Sequence, residues 1–325
     1  LWRLALFQGS RHLEALAKRV AQGAYHGFWP TFEALILTCL GAAWWPAILG
    51  FLAWRLGSVI DATTMTIAIS EGLWSMAEFL IVFETLRRVA FPSGLGESHF
   101  RWPAAITLAL RRQLRWFVPL GMVLAFFCTA IHASGDQRWE AGPGRIVFLV
   151  MLVLYAVLGH FILRPHGAVM KAVQVYHPQG WFYRGRMAWW LLAVGVPVAL
   201  MGLTLAGYSY TAVQLMQRFR ATLIVPLLLG LGEALFNRWL IVLKQRIGWA
   251  RFRQRMTSEV QAGGEAKTEV GGVSSTPTES EPDLAIVGQQ TRRLFNTIEV
   301  IVALAVLWWI WADILPALGV LRQIR

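Results

Sequence analysis

Three carboxylates, Glu71, Glu78 and Glu233, stand inside apolar stretches of a chain of which only 15% is charged. Hydrocarbon penalises a charged carboxylate unless a partner or water meets it, so each is a candidate functional group. The chemistry open to such groups is proton relay, cation binding or proton-coupled transport. Glu71 and Glu78 are seven residues apart and share one helix face, while Glu84 precedes Arg88 by four and can pair with it. Glu233 has Asn237 one turn on and Arg238 within reach. No cation stands at matching depth beside Glu71 and Glu78. A plain structural reading therefore stays open, in which the helix is tilted or interior and its acids meet water or pair across a bundle.

Other chemistry is missing from the pattern. There is no GxSxG, Walker lysine loop, HExxH or DFG. His160 and His166 flank Arg164–Pro165 and do not share a helix face, and His99 stands alone beside Phe100. A metal needs several ligands converging, which scattered histidines do not supply. Cys39 and Cys128 fall in apolar runs far from any CxxC spacing, and they read as small buried side chains. The expectation is of no enzyme, no cofactor and no metal.

The elements around these residues are long and apolar. The chain has 325 residues, 56% of them hydrophobic, with 17 Trp and 18 Phe and a mean hydropathy of +0.51. A soluble domain of this size carries about a quarter charged residues. Between Glu33 and Arg55 there is no charge, and this gives a first span. A second, weaker one covers 62–85 and holds Glu71, Glu78 and Glu84. Further spans follow at 116–135, 146–163 and 187–206. A tight turn at Gly207–Tyr210 leads to a sixth, which passes Pro226 and Glu233 and ends near Leu243. A seventh covers 294–315, uncharged from Val300 to Ala312, with Trp308, Trp309 and Trp311 near its far end and Asp313 and Pro316 to stop it. At a rise of about 1.5 Å per residue the seventh is long enough for a bilayer core of about 30 Å, and the fourth is a short one. Pro46, Pro119, Pro197 and Pro226 fall within four of them.

The net charge of +12 is distributed, not pooled. Arg87, Arg88, Arg101, Arg111, Arg112 and Arg115 lie between spans two and three, Arg164, Lys171, Arg184 and Arg186 between four and five, and Lys244, Arg246, Arg251, Arg253 and Arg255 after six. The connection 136–145 balances two acids with two arginines. Cations in alternate connections mark the cytosolic side of a multi-pass membrane protein, with the N-terminus in and the C-terminus out. A nucleic-acid partner would want a basic face on a soluble fold, and is not expected. Arg87, Arg88, Arg111, Arg112, Arg251 and Arg253 are candidate contacts for anionic lipid headgroups.

The fold class expected is all-α: a polytopic transmembrane domain of about seven spans with a disordered cytosolic linker. Residues 1–29 read as a cytosolic amphipathic or connecting helix, since Leu13, Leu16 and Val20 recur at helical spacing. Residues 30–256 hold helices one to six. Residues 257–289 are dominated by Gly, Ser, Thr, Pro and Glu with Lys267 as the one basic residue, a composition that cannot offset its ordering entropy. Residues 290–325 are the seventh helix. The opening LWRLALFQGSRHLEALAKRV has neither an initiator Met nor a small-residue cleavage site, as expected of a piece of a longer protein.

Four stretches carry a resemblance. FPSGLGESHFRWP (91–103), NRWLIVLKQRIGWARFR (237–253), QQTRRLFNTIEVIVALAVLWWIWADILPALGVL (289–321) and LAKRVAQGAYHGFWPTFEALILT (16–38) are similar to parts of the large multi-span members of the MscS mechanosensitive channel superfamily, the MscK and MscM type. The first lacks the arginine that the family pattern has before its proline. The resemblance implies a subunit of a homo-heptameric channel in a bacterial inner membrane that opens under tension and releases ions and osmolytes on hypo-osmotic shock. It also implies that a channel core, absent from this chain, would follow the seventh helix. The alternative is a polytopic transporter or lipid-modifying membrane enzyme using Glu71, Glu78 and Glu233. That reading predicts an inverted repeat with paired broken helices, which the two halves do not show. A purely structural membrane subunit is a third reading.

Overall fold

The computed structural model describes residues 29–92, 94–98, 100, 102–176, 181–265 and 281–312. Among these there is no strand. Seven helices among the described residues are long and apolar enough to cross a membrane. We label the long helices α1 (Trp29–Gly57), α2 (Thr64–Val89), α3 (Ala104–Ala133), α4 (Arg145–Leu163), α5 (Arg186–Leu205), α6 (Ser209–Glu265) and α7 (Glu281–Trp311). Shorter helical turns occupy Leu95–Ser98, Gln137–Trp139, Ala168–Tyr176 and Trp181–Arg184, and a π-helical turn occupies Glu140–Gly144. The expected helix at 1–29 lies almost wholly outside the described residues, as do Asp313 and Pro316.

Local chemistry sets several ends. The Thr63 hydroxyl accepts from the Thr66 backbone N–H to start α2, and Asp136 accepts from Arg138 N–H at 2.9 Å after α3. Gly135 (φ 65°) and Gly207 (φ 99°) take the left-handed conformation just beyond α3 and α5, which side chains disfavour. The expected turn at 207–210 is thus a short one, with α6 resuming at Ser209.

Two boundaries differ from those expected. Helix α3 starts at Ala104, not at Trp116, so Arg111, Arg112 and Arg115 stand on a helix and not in a loop. Pro103 and the helically spaced Thr107, Leu110 and Leu114, all buried, drive this, and long cationic side chains reach outward from apolar stems. Helix α6 runs on to Glu265 and α7 begins at Glu281, so the chain is helical at both ends of the stretch 257–289 expected to be linker. Residues 266–280 lie outside the described ones.

The described residues from Trp29 to Phe219 form one compact unit and those from Arg220 form another. In the first, consecutive helices run antiparallel, and α2 packs on both α1 and α3. Close approach comes from small residues, the usual device where lipid removes the hydrophobic drive to associate. Ser70 Oγ donates to Ala53 O at 2.8 Å, linking α2 to α1. Gly72 faces Phe126 and Ala130 of α3, and Gly121 of α3 receives the Phe79 ring with no room for a Cβ. Around that ring Phe83, Phe117 and Tyr155 of α4 build an aromatic centre, with neighbouring centroids 4.6 to 5.5 Å apart. Where α4 meets α5, Gly159 abuts the Ala193 carbonyl, which Pro197 four residues later deprives of its helical donor.

The second unit is an antiparallel pair with its register marked at two levels. Trp311 Nε1 donates to Thr222 Oγ1 at 3.1 Å, and the Phe236 and Phe295 rings stack at 3.8 Å with 5° between planes.

Candidate functional site: the cation-rich end of the helices

The antiparallel packing of the first unit brings the end of α2, the start of α3, the end of α4 and the start of α5 to one end. Phe117 meets Tyr155, and Trp190 Nε1 donates to His160 Nδ1 at 3.2 Å, which fixes those directions. Arg87, Arg88, Arg111, Arg112, Arg115, Arg164 and Arg186 therefore share that end. His160 serves as a hydrogen-bond acceptor between α4 and α5 there, and no group of three or more metal-capable side chains exists among the described residues.

At the end of α2 the cations are neutralised from within. Glu84 is buried, its side chain 8% exposed. It accepts from Arg87 Nη2 at 2.8 Å and from Arg88 Nε at 3.2 Å. Arg88 is 28% exposed and lies over Gly41 of α1, where a Cβ would come within 2.5 Å of Nη1. Arg87 keeps 46% exposure. A single carboxylate thus holds two guanidinium groups, and a missing side chain on the next helix makes the recess for one of them. The i,i+4 spacing pointed to the Arg88 pair, but nothing local in the sequence marks Gly41 as the seat.

The connection 91–103 closes over this end. Leu95 is buried with Ala34 and Val89, and Phe100 and Trp102 pack against them. Gly96 sits against the Val89 carbonyl and the Trp102 ring, and Trp102 N–H donates to Gly96 O at 2.7 Å. The Thr107 hydroxyl, fully buried, donates to Glu97. The Gly-Leu-Gly-Glu core of the motif is thereby a packed strap joining α1, α2 and α3. Glu97 was not singled out from sequence, because its partner is ten residues away across a turn.

At the start of α3 the balance differs. Arg112 and Arg115 are exposed and Arg111 is half-buried, with its Nε enclosed and offered no hydrogen-bond acceptor among the described residues. Arg251 and Arg253 fall on the helical backbone of α6 in the stretch whose side chains are not described.

The three intramembrane carboxylates do not converge. Glu71 and Glu78 face outward from α2, opposite its buried stripe of Gly72, Ser75 and Phe79. Glu233 is half-buried in the second unit, where Glu299 of α7 lies near it. Glu299 escaped the sequence reading because only the α6–α7 register brings it near.

Comparison with known proteins agrees with this architecture. The chain is 25% identical over 327 residues to the miniconductance mechanosensitive channel MscM of Escherichia coli K12, an alignment covering 97% of this chain and 28% of that protein. It is 27% identical over 271 residues to the mechanosensitive channel MscK of the same organism, covering 80% of this chain and 22% of that one. The chain therefore spans about a quarter of the length of these relatives. No solved structure matches it. Residues 4–325 match the model of the mechanosensitive ion channel inner membrane domain 1, and over that whole length the chain belongs to this family of MscS-type membrane domains.

Proposed function

We propose that this chain is the tension-sensing, lipid-embedded domain of a mechanosensitive channel in a bacterial inner membrane, and that the whole protein releases ions and osmolytes on hypo-osmotic shock. The observation that carries the reading is the family match over nearly the whole chain, joined to seven apolar helices whose outward side chains are largely Trp, Phe, Leu, Ile and Val. Helices that expose such side chains couple to bilayer thickness, each at a modest cost per ångström of mismatch, and seven of them sum that cost. The whole protein works as a homo-oligomer, a heptamer by resemblance. Arg111, Arg112, Arg251 and Arg253 are the anchors to the anionic headgroups of the cytosolic leaflet, which fix their depth, while Arg87 and Arg88, first expected to share that role, are held by Glu84. The stretch 257–289 is a cytosolic linker, helical over 257–265 and 281–289.

Patch recording of the full-length channel tests this. Neutralising the exposed arginines together is expected to shift the tension threshold, and an unmoved threshold would overturn the anchoring role.

A further inference from the structure

The cations at the start of α3 lack what Glu84 supplies at the end of α2. Helix α3 carries no Asp or Glu, and neither does the helix Ala168–Tyr176 that packs against it. From residue 141 to residue 232 the sequence holds no carboxylate at all. Glu97 is occupied by the Thr107 hydroxyl one turn before Arg111. Arg111 nonetheless has its Nε enclosed with no acceptor among the described residues. A guanidinium N–H taken out of water without an acceptor is costly, and an anion from outside the chain would supply one.

The surroundings say what kind of anion. Arg112 and Arg115 are exposed on the same helix, and Arg115 continues at four-residue steps into Pro119, Val123 and Phe127, all exposed. Cations therefore cap an outward apolar stripe, the arrangement that matches a phosphate head with a hydrocarbon tail beneath it. The helix Ala168–Tyr176 buries Met170 and Ala172 and exposes Lys171 between them, adding a cation at the same end.

We propose that Arg111, with Arg112, Arg115 and Lys171 around it, binds the phosphate of an anionic phospholipid whose acyl chain lies along Pro119, Val123 and Phe127. This site deepens the lipid-anchoring reading given above and rests on it. The test uses the full-length channel in nanodiscs of phosphatidylcholine with phosphatidylglycerol. Native mass spectrometry then counts the anionic lipid retained through delipidation. Loss of a charge-assisted hydrogen bond should lower retention by about tenfold in Arg111→Gln, with Arg111→Lys falling less and Arg88→Gln unchanged. Millimolar inorganic phosphate should not displace the lipid. Equal retention in Arg111→Gln and wild type would overturn the site, and so would displacement by phosphate, which would identify a free-anion site. Size-exclusion profiles of both Arg111 variants confirm folding. Tension thresholds of the same proteins separate the two readings: lost lipid with an unmoved threshold keeps the site and sinks its part in tension sensing, while retained lipid with a moved threshold sinks the site alone.

Discussion

The two arginine pairs at the cation-rich end look alike in sequence and are solved oppositely. Arg87 and Arg88 close α2 beside a buried Glu84, and a glycine on α1 seats one of them. Arg111 and Arg112 open α3 with no carboxylate on their helix, and the Nε of Arg111 is enclosed with no acceptor among the described residues. The first pair carries its counter-charge within the fold, so it holds α1 to α2 whatever surrounds the protein. The second depends on its environment. Positive-inside bias alone does not separate an internal clamp from a contact with lipid.

The sharpest way to break the contrast is to remove Glu84. Glu84→Gln leaves two guanidinium groups without an anion, one of them recessed over Gly41. It should cost about 3 kcal/mol, the low end for a broken buried pair because both arginines keep some exposure. Thermal unfolding in detergent would read this, and a change below about 1 kcal/mol would deny the clamp. Next comes the strap: Thr107→Val removes the buried hydroxyl that donates to Glu97 and should cost about 1 kcal/mol by the same assay. Gly41→Ala is expected to cost about 1 kcal/mol, since the displaced atom is the end of a flexible arginine rather than backbone. Gly202→Ala, with open space around it, serves as the neutral control. The smallest effect should come from giving α3 what α2 has. Arg115→Glu places an acid four residues after Arg111 and should stabilise by about 0.3 kcal/mol. Stability in detergent should then lose part of its dependence on added anionic lipid, and undiminished dependence would count against the contrast.

Much of the fold can be read before any coordinates. Apolar runs of membrane length mark seven helices long enough to cross a membrane, and Gly207 marks the turn between the fifth and sixth. The start of α3 was harder, because arginines at 111, 112 and 115 resemble a loop in composition while Leu110 and Leu114 obey a helical period. The site residues were least legible. Glu71, Glu78 and Glu84 are equivalent by composition, yet only Glu84 is buried, because Gly41 on another helix leaves space for its partner. Glu299 and Glu233 are separated by sixty-six residues, and their proximity follows from ring stacking that no local pattern encodes.

The α6–α7 pair has a mechanical consequence. Its two fixed levels, Thr222 with Trp311 and Phe236 with Phe295, are about 21 Å apart along α6 at the ordinary helical rise. A slide of one helix past its neighbour by less than a turn would break both levels and replace neither. A full-turn step of about 5.4 Å would bring new side chains opposite the old seats. The hairpin should thus transmit a pull as a stiff rod or change length by a discrete notch, with no gradual stretch between.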